Sequence, residues 1–162
     1  MTAAETRPAP GAHAVAIELA DWDRAEPLVM PVRIAVFVDE QGVPPEIERD
    51  AQDALSRHAI ARDATGGVIG TGRLLPDGHI GRMAVSRGAR GAGVGGAVLQ
   101  ALIGEARRLG MNAVALNARV HALEFYRRHG FVEFGEVFME AGIAHRAMRL
   151  ALVRDQDGAA TR

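Results

Sequence analysis

The chain has 162 residues, 48% of them apolar, and its 19 basic residues against 20 acids give a net charge of −1. That length supports one domain with a real core, and the balanced charge gives no reason to expect a nucleic-acid partner. No apolar run reaches the roughly 18 residues of a membrane span, no signal-peptide pattern opens the chain, and without cysteine there is neither a disulfide framework nor a thiol nucleophile. The expected compartment is the cytoplasm. Every basic residue is arginine, so the protein carries no lysine side chain of its own to acylate.

Residues 1–12 are rich in Ala, Pro and Gly and read as a flexible segment before a single domain over 13–153; residues 154–162 read as a flexible tail. His13 to Ala20 alternates apolar and polar residues as a half-buried strand does. A helix is predicted from about Pro27 to Phe37, with Leu28, Val32, Ala35 and Val36 on one face and Pro31 tolerated near its start. Residues 39–53 form a polar loop with six acids (Asp39, Glu40, Glu46, Glu48, Asp50, Asp53) against Arg49 alone. Such a loop either draws a cationic substrate or is simply solvated.

Strands follow at 57–63, 67–75 and 79–85, the first two joined by the turn signal Ala64–Gly67. Then come a glycine-rich loop, a helix over 94–109, a strand over 112–118, a helix over 121–129, and strands near 131–137 and 143–152. Hairpin-linked strands followed by alternating helices and strands indicate an α/β (α+β) chain. It should build a mixed, mostly antiparallel sheet of six or seven strands with helices on both faces.

The most informative stretch is Arg90, Gly91, Ala92, Gly93, Val94, Gly95, Gly96, between a strand and an apolar helix. Closely spaced glycines let the backbone approach a ligand, and the free N–H groups of the following helix attract phosphate oxygens. A P-loop would need Gly-Lys-Ser/Thr, and the chain has Gly96-Ala97-Val98 instead. A dinucleotide loop would need a carboxylate about 20 residues later, where the next strand ends Leu116-Asn117-Ala118-Arg119. An NADP-binding reading through Asn117 and Arg119 stays as an alternative.

The spacing Arg90-x-x-Gly93-x-Gly95 resembles the acyl-CoA pyrophosphate loop of the GNAT acyltransferases. Ala122 to Phe131, with Tyr126 and Gly130 inside it, is similar to the closing A-x-x-x-Y-x-x-x-G-F segment of that superfamily. Two further stretches, Arg33 to Pro44 and Glu140 to Met148, resemble the ElaA/YjcF-like branch, so the likeness runs from about residue 30 to 150. One position departs from the pattern: Arg119, seven residues before Tyr126, stands where relatives usually carry Asn or Gln.

The resemblance implies an acetyl-CoA-dependent N-acetyltransferase in which an amine attacks the thioester directly. The strands ending near Val85 and Leu116 should splay, with the strand before the loop bulged and backbone groups of Arg82, Met83, Ala84 and Val85 exposed to the cosubstrate. Arg87, Arg90, Gly91, Ala92, Gly93, Val94, Gly95, Gly96 and Asn117 complete the expected cosubstrate site. Tyr126, the only tyrosine, occupies the general-acid position; a phenol with pKa near 10 stays protonated at neutral pH.

Glu40 and His145 are the leading candidates for the base, with Glu140 and His79 also in reach by sequence. Arg33, Phe37, Gln41 and Glu140 are assigned to the acceptor side, Arg33 with the alternative of a salt-bridge role. No metal is expected, since His121 and His129 lack a ligand spacing. The acceptor is expected to be a small-molecule amine. A protein N-terminus, another acyl-CoA donor or a non-catalytic CoA sensor are alternatives, and relatives leave room for a homodimer.

Overall fold

The computed structural model describes residues 15–152, so the terminal segments 1–12 and 154–162, and the start of the first predicted strand, lie outside the described residues. Seven strands form two antiparallel sheets. One holds β1 (Ala16–Ala20), β2 (Arg57–Arg62), β3 (Val68–Leu74) and β4 (Ile80–Val85) in that order. The other holds β5 (Ala113–Arg119), β6 (Val132–Glu140) and β7 (Ile143–Ala151) in the order β5-β7-β6.

Helices cover both faces of the first sheet because the side chains of β2 alternate. Ala59 and Ala61 face α3 (Val94–Arg108), packing with Val98, Leu99 and Leu102. Ile60 faces the other way, against Ala25 and Val29 of α1 (Trp22–Arg33). Contact with α3 is close enough to require glycine on β3. A Cβ at Gly72 would lie 2.7 Å from Met83 Sδ and 2.9 Å from Leu102 Cδ1, and one at Gly70 would lie 2.9 Å from Val94 Cγ1. The second sheet turns Val114, Leu116, Ala118 and Met148 into the same core.

The first helix departs from expectation. It starts at Trp22, before both Pro27 and Pro31, and continues past Arg33 as a π-helical segment, Ile34–Glu40. Each proline removes one backbone donor, but burial of Ala25, Val29, Met30 and Val32 outweighs that loss, so packing rather than propensity sets the start. The polar loop is also more ordered than its composition suggests. It contains a single turn of α2 (Pro45–Glu48) and a 3₁₀ turn, Ala51–Leu55, whose capping box joins Asp50 and Asp53. The 121–129 helix divides into a 3₁₀ turn, Val120–Ala122, and α4 (Leu123–Arg128).

Candidate active site

The two sheets touch through one parallel bridge, His79 to Ala115, where Ala115 N–H donates to the Gly78 carbonyl at 3.1 Å. Beyond it β4 pairs only with β3 and β5 only with β7, so the strands diverge and open a cleft of about 590 Å³ between them. On β4, Arg82 and Met83 together oppose Gly72, a β-bulge in which Arg82 adopts a left-handed φ of 48°. The strand before the loop is therefore bulged, and its Arg82 and Met83 line the cleft.

The loop after β4 feeds directly into α3. Gly91 and Gly93 have φ of 83° and 88°, and no atom lies within 4 Å of where their Cβ would stand. An uncovered strip of backbone results. The first intrahelical bond runs from Ala97 N–H to the Gly93 carbonyl, so the N–H groups of Val94, Gly95 and Gly96 have no acceptor within the helix. Both the open N–H groups and the helix dipole suit a diphosphate. Gly96 also admits the His129 imidazole, which a Cβ would meet at 3.3 Å.

Beside this strip, Arg90 donates to the Val85 carbonyl at 2.9 Å and to Glu40 Oε1 at 2.7 Å, and Arg87 Nε stands 3.8 Å from Glu40 Oε2. The two arginines are thus at the loop as expected. Glu40 is there too, at the end of the π-helical segment. It does not line the cleft with the other acceptor-side residues.

Within the cleft, Tyr126 sits on α4 with its ring edge-on to Phe125 and Phe131, at 4.9 and 5.9 Å between centroids. Burial pushes its phenol above the ordinary value, so it stays protonated at neutral pH. Its hydroxyl makes no hydrogen bond to another side chain or backbone group among the described residues. His145 on β7 is 8% exposed and also lines the cleft. Its Nδ1 lies 2.7 Å from the Ile143 carbonyl. A carbonyl can only accept, so Nδ1 is the protonated ring nitrogen and Nε2 is the one left for other partners. Phe138 stacks on that imidazole at 5.8 Å.

Phe37, Gln41, Asn117, Glu140 and Met83 line the same cleft, as does His79. Arg119 donates to Gln41 Oε1 at 2.8 Å, so the residue that departs from the family pattern ties β5 to the segment after the π-helix.

Arg33 is placed differently. Its guanidinium is 1% exposed and donates to Glu48 Oε2 at 2.6 Å and to Asp53 at 2.9 and 3.0 Å, with Trp22 stacked 5.3 Å away. Of its two expected roles, the salt bridge is the one formed, and at 1% exposure the guanidinium is closed off from the cleft. Arg73 joins the cage through Asp50 and Asp53, at 2.7 and 2.8 Å, and Arg82 through Asp50 at 3.1 Å. Burial alone would raise the Asp53 pKa, but hydrogen bonds and charge from Arg33 and Arg73 win and lower it. Three of the six acids, Glu48, Asp50 and Asp53, are thus held by arginines, while Asp39 and Glu46 are exposed. Glu48, expected only as one of six acids, and the Arg82 side chain, not expected at the site, both lie on the cleft wall. The available signal was Arg33 itself, a charge between Val32 and Ile34 in a helix with an apolar face, which demands buried carboxylates.

The profile of the Acetyltransferase (GNAT) domain matches residues 25–152. The uncharacterized N-acetyltransferase YjcF of Bacillus subtilis is 40% identical over 121 residues, 72% of this chain and 86% of that protein. Among solved structures, an acyl-CoA N-acyltransferase from Pseudomonas aeruginosa superposes with a TM-score of 0.76 at 30% identity, over 85% of this chain and 100% of that one. Escherichia coli ElaA does so with a TM-score of 0.74 at 25% identity, over 85% and 99%. The chain belongs to the GNAT acetyltransferase family, whose members are acyltransferases acting on a CoA derivative.

Proposed function

We propose that this GNAT acyltransferase uses acetyl-CoA and transfers its acetyl group directly to the primary amine of a small molecule. The observation that carries the reading is a single cleft holding a protonated, unengaged phenol and an imidazole whose Nε2 is free of a hydrogen-bond partner, on a fold that also carries an open glycine loop. In this reading the backbone N–H groups of residues 91–96 hold the diphosphate of the cosubstrate, with Arg87 and Arg90 adding positive charge. Met83, Ala84 and Val85 offer backbone groups to its pantetheine amides, and Asn117 stands on the opposite wall.

The amine nitrogen forms the new N–C bond as the C–S bond breaks. His145 Nε2 takes the proton that leaves the nitrogen, and the Tyr126 hydroxyl supplies a hydrogen bond or proton to the departing sulfur. Phe37, Gln41 and Glu140 shape the acceptor end. Glu40, originally a candidate base, is assigned instead to holding Arg87 and Arg90 in position at the loop. The domain is taken as 13–153, working on the cytoplasmic acetyl-CoA pool. Exposed Val132, Phe134, Val137 and Met139 on the edge strand β6 support a homodimer through that edge.

The deciding experiment is a panel of small amines with acetyl-CoA, read by thiol release and by mass of the product, with propionyl-CoA and an N-terminal peptide as comparison arms. Thiol release with a small amine and acetyl-CoA supports the reading. Tight CoA binding with no turnover on any amine overturns it in favour of a sensor.

A further inference from the structure

Glu48 is placed unlike any other acid of the 39–53 segment. Its side chain is 2% exposed, yet the residue lines the same cleft as Tyr126 and His145. Oε2 accepts from Arg33 Nε at 2.6 Å and lies 3.8 Å from Arg82 Nε. The Glu48 carbonyl accepts from Arg33 Nη2 and from Arg82 Nε, both at 3.0 Å. Backbone and one carboxylate oxygen are therefore clamped between two guanidinium groups, and the side chain has little freedom to swing. Oε1, by contrast, is buried with no hydrogen-bond partner.

An unmatched buried acceptor costs about 1–3 kcal/mol. Of the four buried side-chain atoms left without a partner among the described residues, on Glu48, His58, Arg73 and Arg146, only that of Glu48 belongs to a residue lining the cleft. No N–H of the cage lies within hydrogen-bonding geometry of this oxygen, although Arg73 Nε is itself buried without a partner. Arg33 spends both Nη groups on Asp53 and the Glu48 carbonyl, and Arg73 spends its own on Asp50 and Asp53. A carboxylate oxygen accepts, so a molecule that brings an N–H or O–H into the cleft Glu48 lines can complete it.

We propose that Glu48 Oε1 is the acceptor anchor: it receives an N–H of the substrate's primary amine and so fixes the nitrogen within the cleft shared with Tyr126 and His145. This rests on the N-acetyltransferase reading and names the residue that selects its substrate class. Arg33, Arg73 and Arg82 balance Glu48, Asp50 and Asp53 in charge, so the anchor recognises a donor at short range and does not act as a long-range cation trap. Quaternary ammonium compounds, which carry charge without N–H, are rejected.

The test uses n-propylamine as probe, titrated into the full-length protein with CoA bound, and follows the ¹³Cδ resonance of Glu48. A saturable shift with propylamine, and none with N,N,N-trimethylpropylammonium, is the expected result. Glu48→Gln should weaken propylamine binding at least tenfold while CoA affinity stays within about twofold. That variant also uncages Arg33, so its fold is checked by circular dichroism; the wild-type titration stands whatever the variant does. A Glu48 resonance unmoved by propylamine up to about 100 mM, or moved equally by the quaternary ion, overturns the proposal. If propylamine binds at Glu48 but no amine is ever acetylated, the acetyltransferase reading fails and the amine anchor survives. If amines are acetylated while Glu48 does not respond, only the anchor fails.

Discussion

Replacing Tyr126 by Phe separates a chemical role from a packing role with one atom. The ring contacts with Phe125 and Phe131 stay, and the lost hydroxyl makes no protein hydrogen bond among the described residues. Removal therefore leaves no buried partner orphaned, and the stability change should stay within about 0.5 kcal/mol. The chemistry should respond very differently. Without the hydroxyl, the departing thiolate loses its proton donor, and kcat should fall by about 10²-fold, or about 2.7 kcal/mol of transition-state stabilisation. Thiol release on an accepted amine gives kcat, calorimetry with acetyl-CoA gives the affinity, and a thermal melt gives the stability. The affinity should not move, because the hydroxyl acts on sulfur only as the bond breaks. Burial raises the Tyr126 pKa, so wild-type kcat should show no alkaline decline from this group below about pH 10. Wild-type turnover in a folded Tyr126→Phe enzyme would refute the acid role outright.

Gly93→Val forces a β-branched residue to a φ of 88°; it should cost about 1–3 kcal/mol of stability and weaken acetyl-CoA binding at least tenfold in calorimetry. His145→Ala should lower kcat/KM for the amine by about 10²-fold or more at neutral pH with acetyl-CoA affinity unchanged, since only the proton acceptor is lost. Arg33→Met leaves buried Glu48 and Asp53 uncompensated and should destabilise the fold by about 3–5 kcal/mol in urea. The Asp50 and Asp53 pKa values are lowered in the folded state. Their contribution should accordingly be complete above the unfolded carboxyl value near 3.9 and decline as pH falls through the depressed folded values, seen as a steep loss of urea midpoint below about pH 4.

The residue pattern by itself determined the order of elements, the glycine strip and the family likeness. These are local properties: glycines at 91, 93, 95 and 96 have a meaning that depends on a few neighbours, and apolar periodicity is written within each element. Tyr126 was legible for the same reason, through its place in a short motif. Tertiary structure decided everything that joins distant segments. Pro27 and Pro31 argued for a late helix start, and burial of Ala25 and Val29 against the sheet overrode them. Arg33 in the helix and Glu40 in the loop after it were both expected near the acceptor. Yet the helix turns Arg33 inward to Glu48 and Asp53, and the π-helical extension carries Glu40 to the arginines of the phosphate loop. Glu48 was one acid among six until folding buried one of its oxygens between guanidinium groups and left the other unmatched at the cleft. A charge's role depends on its partners and its exposure to water, and both are set by segments 15 to 50 residues away, which no local pattern records.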